Sequence, residues 1–240
     1  MTQEDVHFID KSAESEVGSP AGSSVSVPTL SEPGLLVMDV DSTLIDEEVI
    51  DELGVVAGCG EEIAGVTARA MRGELEFCDA LRARVALLEG LPISVFDTVH
   101  DKLHFTKGAL ELIDTLHEHG WKIGVVSGGF HEVVDMLAAE GHTDYWIANR
   151  LEVADGCLTG KVLGEIVSKT VKLHALQTWA DRLGIPMSQT VAVGDGANDI
   201  PMIQAAGLGL AFCAKPKTQL AADKAINDRD LTHVLDYLRR

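Results

Sequence analysis

Two aspartates follow a short apolar run near the start of the chain. Leu35–Met38 precedes Asp39 and Asp41, with Val40 between them. Four consecutive apolar residues predict a strand buried on both faces, as in a parallel sheet covered by helices. Residues two apart in extended backbone share one face, so we expect the two carboxylates to lie together. The carboxyl end of such a strand is where open α/β sheets bind ligands.

A lone Asp-x-Asp is ordinarily only the polar end of a strand, but two further apolar runs here end in polar residues. Trp121–Val126 precedes Ser127, Gly128 and Gly129, and Thr190–Val193 precedes Asp195, Asn198 and Asp199. Parallel strands bring their carboxyl ends to one edge, so the sequence predicts a single polar cluster. Carboxylates, water and a phosphate are ligands that Mg²⁺ prefers. If Asp39 and Asp195 are adjacent, they form such a magnesium site.

Other kinds of chemistry have less support. His117 and His119 are closely spaced, but we expect them on the surface and not around zinc. A Gly-x4-Gly-Lys-Ser/Thr loop is missing from the sequence, which disfavours a P-loop kinase or ATPase. The net charge of −19 argues against nucleic acid or an anionic membrane as a partner. An anionic substrate therefore needs a local positive centre from a metal, lysine, arginine or backbone N–H.

Length and composition indicate one globular domain with room for a small insertion. The chain has 240 residues, of which 46% are hydrophobic and 24% charged. Its four cysteines show no C-x-x-C spacing, so we expect reduced thiols in a cytoplasmic protein. No apolar run is long enough for a membrane span, and the N-terminus does not resemble a signal peptide. The sequence leaves the choice between monomer and homodimer open.

The alternation of strands and helices predicts an α/β fold with a doubly wound, mostly parallel, Rossmann-like sheet. We expect a flexible tail at 1–33, a catalytic core at 34–45 and 105–240, and a small helical cap at 46–104, inserted after the first strand. The turn sequence at 154–156, between two apolar runs, predicts a β-hairpin flap on this sheet.

One arginine of the predicted cap lies inside an apolar stripe. Arg84 follows Phe77 by seven residues and Leu81 by three, so all three share one face of a helix. Arg84 either extends past the apolar surface to solvent or points into a crevice to meet a carboxylate. The spacing does not decide between the two.

Four motifs make the sequence resemble a known superfamily. D-V-D-S-T-L at 39–44, S-G-G at 127–129, a lysine before the third strand and G-D-G-A-N-D at 194–199 resemble the motifs of the haloacid dehalogenase superfamily. The second aspartate is typical of its phosphatase and phosphomutase branch. Within that branch the chain resembles the phosphoserine phosphatase family, with A-M-R-G-E-L-E-F at 70–77 similar to its cap signature.

The resemblance implies a phosphoric monoester hydrolase with an inserted cap. It implies Mg²⁺-dependent hydrolysis of O-phospho-L-serine through an aspartyl phosphate, as a step of L-serine biosynthesis. Asp39 would be the nucleophile, and Asp41 would protonate the leaving oxygen and then activate water. Asp195 would bind Mg²⁺ with Asp39 and the Asp41 carbonyl. Lys172 would neutralise charge beside the phosphoryl group, with Lys169 as its rival.

The same resemblance assigns the contacts to the substrate. Ser127 and the Gly128 N–H would bind phosphate oxygens, and Asn198 would contact substrate or phosphate. Asp199 would orient Lys172 or a metal-bound water rather than bind the metal directly.

The cap would supply the recognition of the amino acid. Glu48 would meet the substrate ammonium, Arg84 would bind its carboxylate, and Phe77 would pack against it as the cap closes.

Two other functions stay open at this point. A phosphatase or phosphotransferase of the same fold could act on another small phosphomonoester, such as phosphohomoserine. A non-catalytic module that binds a phosphate ligand is a third hypothesis, although every catalytic position is filled.

Overall fold

A seven-stranded sheet forms the centre of the computed structural model, which describes residues 27–240. Its strands are β1 Leu35–Met38, β2 Lys122–Phe130, β3 Tyr145–Ala154, β4 Cys157–Leu163, β5 Thr190–Gly194, β6 Leu208–Phe212 and β7 Lys224–Ile226. They lie in the order β4-β3-β2-β1-β5-β6-β7, and only the β3–β4 pair is antiparallel. The predicted fold class is confirmed. β1 lies where the strand order reverses, which is where such sheets bind ligands.

Helices cover both faces of this sheet. Within the described residues they are α1 Val49–Ala57, α2 Gly60–Met71, α3 Phe77–Ala86, α4 Val95–His100, α5 Ala109–Glu118, α6 His131–Glu140, α7 Lys169–Leu183, α8 Ile200–Ala205 and α9 Pro216–Ala221. Leu36 and Met38 pack in the core that contains α5 and α6. Leu35 and Val37 pack in the core that contains α7 and α8. β1 is thus buried on both faces, which explains its uninterrupted apolar sequence. None of these helices is long and apolar enough to cross a membrane.

The helices α1–α4 are inserted between β1 and β2, and the two connections to the sheet run side by side. Ile45 forms an antiparallel bridge with Phe105. The Asp46 N–H donates to the His104 carbonyl at 3.0 Å, and the Thr106 N–H donates to a carbonyl of the first connection at 2.9 Å. These crossings lie at the boundaries expected for the cap, and the division into domains stays a prediction.

The predicted hairpin is present as β3 and β4, and it joins the sheet to the inserted helices. Asp155 and Gly156 have φ values of 51° and 78°, as a two-residue hairpin turn requires. β3 is itself a strand of the main sheet. β4 hydrogen-bonds the chain after α3: the Leu158 N–H donates to the Leu91 carbonyl, and the Gly90 N–H donates to the Leu158 carbonyl, both at 2.8 Å.

The first residues that the structure describes differ from the predicted flexible tail. The Thr29 N–H donates to Oε1 of Gln189 at 3.0 Å, and the Leu30 N–H donates to the Arg239 carbonyl at 2.7 Å. The predicted tail of 1–33 is therefore wrong for residues 27–33, because partners far along the chain hold them to the core; residues 1–26 lie outside the described part. Near the C-terminus the chain forms a 3₁₀ helix, Leu231–Tyr237.

Candidate active site

The backbone turns sharply after β1 instead of continuing as a strand. The Ile45 N–H donates to the Val40 carbonyl at 3.1 Å and closes the turn. Inside it, Ser42 has a φ of 57°, a left-handed conformation that few residues adopt. The expectation that Asp39 and Asp41 lie together is met, but the expected cause, a shared face of one strand, is wrong. A turn, and not strand alternation, places both carboxylates at one cavity.

A buried lysine lies between two aspartates beside this turn. Nζ of Lys172 lies 2.7 Å from Oδ1 of Asp39 and 2.7 Å from Oδ1 of Asp199. Lys172 and Asp199 are fully buried, and Asp39 is 5% exposed. Lys169, one turn earlier on α7, is exposed. Of the two candidate lysines, the geometry favours Lys172.

The loop after β5 brings Asp199 back against the end of that strand. The Gly196 N–H donates to Oδ2 of Asp199 at 2.9 Å, while Oδ1 accepts from Lys172. A Cβ at Gly194 would lie 2.5 Å from Cγ of Asp199, so only glycine permits this approach. Both carboxylate oxygens of Asp199 are therefore engaged by the protein.

The carboxylates of the site shift one another's protonation. Burial raises the pKa of Asp39 well above its usual range, and the charge of Asp199 adds to this, while Lys172 opposes it. Burial raises the pKa of Asp41 to about 7 and, together with Asp199, that of Asp195 to about 6. Burial alone would lower the pKa of Lys172, but its two aspartate partners raise it. The site is thus rich in negative charge that lacks a full counterion.

This charge lies where a divalent cation fits. Carboxylate oxygens of Asp39, Asp195 and Asp199 lie within 4.8 Å of one another. Asp199 is occupied by Lys172 and a backbone N–H, whereas no hydrogen bond within residues 27–240 engages the Asp195 carboxylate. Asp195 is therefore free to hold a cation together with Asp39, of which only Oδ1 is engaged, by Lys172 and the Val40 N–H. Oxygen donors suit a hard divalent ion.

Asp41 is held by a helix terminus and by a hydroxyl. The Val49 N–H, at the start of α1, donates to its Oδ1 at 2.9 Å, and Oγ of Ser127 donates to its Oδ2 at 3.3 Å. The Ser127 hydroxyl also accepts from the Gly129 N–H at 2.8 Å and is buried. A phosphate contact by Ser127 thus requires a change of its partner. Gly128, in contrast, lines the cavity.

The Ser-Gly-Gly segment, residues 127–129, is extended and belongs to β2. The register of β2 against β3 shifts between Val126 and Phe130, and α6 begins at His131, directly after β2. Asn149 supports this irregular end: its Nδ2 donates to the carbonyls of Gly128 and Gly129 at 2.8 and 3.2 Å. Its Oδ1 accepts from the Val167 N–H at 2.8 Å. Sequence reasoning missed Asn149, whose only signal is an amide within a strand.

A cavity of about 190 Å³ collects the polar groups from the strand ends and the inserted helices. Its lining residues are Asp39, Asp41, Glu48, Ile50, Phe77, Leu81, Arg84, Gly128, Gly129, Phe130, Asp195, Gly196, Asn198 and Lys215. The list contains eight of the predicted site residues. The other three, Ser127, Lys172 and Asp199, do not line the cavity. Lys215 does line it and is a cation to which the sequence analysis assigned no role.

The inserted segment contributes one acidic and one basic side chain to the cavity, Glu48 just before α1 and Arg84 in α3. Arg84 is half-buried and lines the cavity, so the second interpretation of its position, facing a crevice, agrees with the structure. Burial lowers its pKa, while Asp51, Glu48 and Asp41 act in the opposite direction. Oε1 of Glu48 accepts from Oγ of Ser42 at 2.7 Å.

Comparison with known proteins agrees with this geometry. The sequence matches the haloacid dehalogenase-like hydrolase family over residues 36–204. The chain belongs to this family. Among these hydrolases it is similar to the phosphoserine phosphatase of Streptococcus thermophilus, with 60% identity over 205 residues, which cover 85% of this chain and 95% of that protein. The resemblance inferred from the motifs is confirmed.

Two solved structures of phosphoserine phosphatases are also similar to this chain. A phospho-aspartyl intermediate analogue of phosphoserine phosphatase aligns with a TM-score of 0.82 and 44% identity, covering 87% of this chain and 100% of that chain. A substrate-bound phosphoserine phosphatase complex aligns with the same score and identity, covering 87% and 99%.

Proposed function

We propose that this protein is a phosphoserine phosphatase, which hydrolyses O-phospho-L-serine to L-serine and phosphate through an aspartyl phosphate in L-serine biosynthesis. The observation that carries the proposal is the composition of one cavity. The side of the cavity formed by the strand ends, its floor, contains Asp39 and Asp195 beside the buried Lys172. The side formed by the inserted segment, its roof, contains Glu48 and Arg84. A phosphate ester fits the floor, and the ammonium and carboxylate of an amino acid match the roof. The identity to known phosphoserine phosphatases supports the same assignment.

Asp39 is the proposed nucleophile. Its Oδ1 accepts from Nζ of Lys172 at 2.7 Å and from the Val40 N–H at 2.8 Å, which fixes the carboxylate. The other oxygen attacks phosphorus and forms the aspartyl phosphate as the seryl oxygen leaves. Lys172 neutralises charge that gathers around the phosphoryl group, so positioning and a positive field lower the barrier.

Asp41 is the proposed acid and base. Its pKa of about 7 lets it carry a proton to the leaving seryl oxygen and then take one from the water that attacks the aspartyl phosphate. The Val49 N–H fixes one of its oxygens, so the carboxyl stays directed at the cavity. One group serves both half-reactions because it regains in the second the proton that it gives in the first.

Mg²⁺ is the proposed cofactor. Asp39, Asp195 and the Asp41 carbonyl would hold it, and Asp199 would stay with Lys172. When bound, the ion would polarise the phosphoryl oxygens and offset their charge.

The remaining contacts follow from the cavity walls. We infer that Glu48 binds the substrate ammonium, that Arg84 binds its carboxylate, and that Phe77 packs on the substrate. The Gly128 N–H and the Ser127 hydroxyl would bind phosphate oxygens, the latter after leaving Asp41. Asn198 also lines the cavity and would contact phosphate or substrate.

Steady-state kinetics over a panel of phosphomonoesters tests the proposal. O-phospho-L-serine should have the highest kcat/KM, ahead of O-phosphohomoserine, phosphoglycolate and an aryl phosphate. Equal values across the panel would refute the narrow assignment and leave a general phosphatase. Beryllium fluoride, which traps the aspartyl phosphate state, should bind in the presence of Mg²⁺. A failure of both turnover and trapping would indicate a module that only binds phosphate.

We also propose a cytoplasmic location and a small-molecule substrate as the partner. The four cysteines are free, as expected for a reducing compartment. The negative net charge of the chain argues against nucleic acid and anionic membranes. Sedimentation would distinguish a monomer from a homodimer.

A further inference from the structure

Arg229, near the C-terminus, binds the segment 42–46, which leads from the turn after β1 into the cap. Arg229 lies with its guanidinium carbon 5.9 Å from the centre of the Phe212 ring, at the end of β6. Its Nε pairs with the Asp46 carboxylate. Its two terminal nitrogens donate to the carbonyls of Ser42 and Ile45 at 3.4 and 3.3 Å. One side chain of the core thus holds three points of the segment 42–46.

The Asp46 carboxylate extends this grip to the returning connection. Oγ1 of Thr106 donates to Oδ1 of Asp46 at 3.2 Å, and the Asp46 N–H donates to the His104 carbonyl at 3.0 Å. Arg229 is therefore linked to both chain crossings between core and cap. It does not line the cavity, so it reaches the substrate only through other residues.

The residue through which it acts is Ser42. Each of its polar groups is engaged: the N–H donates to the Glu47 carbonyl at 3.1 Å, the hydroxyl donates to Oε1 of Glu48 at 2.7 Å, and the carbonyl accepts from Arg229. Its left-handed φ of 57° is held by these contacts. The position of the Glu48 carboxylate thus depends on how the segment 42–46 is held.

We propose that Arg229 is a positioning residue for amino-acid recognition. By fixing the segment 42–46 it places the Ser42 hydroxyl, which in turn orients the Glu48 carboxylate toward the substrate ammonium. This inference rests on the proposed function of Glu48. The planar guanidinium suits the task because its donors reach several acceptors at once, which a lysine ammonium on a flexible stem cannot reproduce.

Kinetics with two matched substrates tests the proposal. O-phosphoserine is compared with 3-phosphonooxypropionate, the same molecule without the ammonium group, for wild type, R229A, R229K and R150A. Arg150 is the control, since its side chain is 54% exposed and pairs with Asp135 at 3.7 Å, away from the segment. In R229A and R229K, KM for phosphoserine should rise about tenfold, as for loss of a charged hydrogen bond, with kcat and the analogue little changed.

Three kinetic outcomes would overturn the inference. Equal losses on both substrates would make Arg229 a general structural or hinge residue. No loss in R229A would show that the grip is dispensable. Wild-type selectivity in R229K would show that charge alone is sufficient.

Hydrogen exchange provides a readout that does not need turnover. Amides of residues 42–50 should exchange faster in R229A than in wild type and in R150A, because the segment loses three contacts. Unchanged exchange would overturn the inference whatever the kinetics show. A wild-type protein without phosphoserine turnover would instead refute the proposed function, and the exchange data would still decide whether Arg229 positions the segment.

Discussion

Nζ of Lys172 lies 2.7 Å from Oδ1 of Asp39, and this contact joins α7 to the end of β1 inside the protein. The lysine cannot shift toward solvent, because it is fully buried and also bound to Asp199. The carboxylate that we assign as nucleophile is therefore oriented before any ligand arrives. Such prior orientation removes part of the entropic cost of reaching the transition state.

Replacing Asp39 by asparagine should abolish turnover with little effect on the fold. The amide fits the same space but is a far weaker nucleophile, so kcat should fall on the order of 10⁴-fold or more. Since burial raises the pKa of Asp39, removing its charge should leave the melting temperature unchanged or raise it. Near-wild-type turnover would show that the nucleophile is misassigned.

Replacing Lys172 by methionine should destabilise the protein strongly. Asp39 and Asp199 would face each other without their buried partner, and breaking such a pair costs about 3–5 kcal/mol of unfolding free energy. Urea unfolding in metal-free buffer measures the loss. The double variant K172M/D199N should recover part of it, because one unpaired charge is gone. A loss below about 1 kcal/mol would contradict the pairing.

Replacing Arg84 by alanine should impair binding of phosphoserine more than that of an aryl phosphate. The side chain lines the cavity from the cap, where it would meet the substrate carboxylate. Loss of a charged hydrogen bond costs about 1.5–3 kcal/mol, so KM for phosphoserine should rise ten- to a hundredfold at about the same kcat. Equal effects on both substrates would leave Arg84 as a packing residue. R82A, on the exposed face of α3, is the matched control.

Divalent cation should stabilise the protein, and more so at higher pH. Asp195 has a pKa of about 6, so at pH 5 a cation must displace a proton that is absent at pH 8. Without metal, the stability of the protein changes with pH in the opposite direction. The folded state keeps the Asp195 proton up to about pH 6, whereas the unfolded state releases it near pH 4. The contribution of Asp195 to the free energy of unfolding therefore falls as the pH rises from about 4 to 6.

Melting temperatures with Mg²⁺ or EDTA measure this effect. The Mg²⁺-dependent rise should be larger at pH 8 than at pH 5 and should be lost in D195N. A rise of equal size in D195N, or a larger one at pH 5, would place the cation elsewhere.

The parts of the molecule that sequence reasoning predicted are those with local signals. The apolar run of β1 indicates a strand buried on both faces, and the Asp-Gly pair at 155–156 indicates the hairpin turn. Arg84 stands out in the sequence because it interrupts apolar residues that repeat at helical spacing. In each case the structure is indicated by residue types that lie close together in the sequence.

The parts that it missed depend on partners far along the chain. The turn at 40–45 is bound by Arg229, nearly 190 residues later, which donates to the carbonyls of Ser42 and Ile45. Asn149 supports the Ser-Gly-Gly segment from a neighbouring strand, and Thr29 is fixed by Gln189. These choices follow from tertiary packing, which no local pattern of residue types records.

The hydrogen bonds between Leu158 of β4 and the chain at Gly90 and Leu91 have a consequence for how ligands enter. They attach the segment after α3 to β4, while the crossings at residues 44–46 and 104–106 attach the two ends of the insertion to the core. Because the inserted helices are attached to the core at both places, we expect them to rotate about the line between the attachments and not to move away as a whole. We therefore expect ligands to enter and leave past Phe77, which lines the cavity and is 37% exposed.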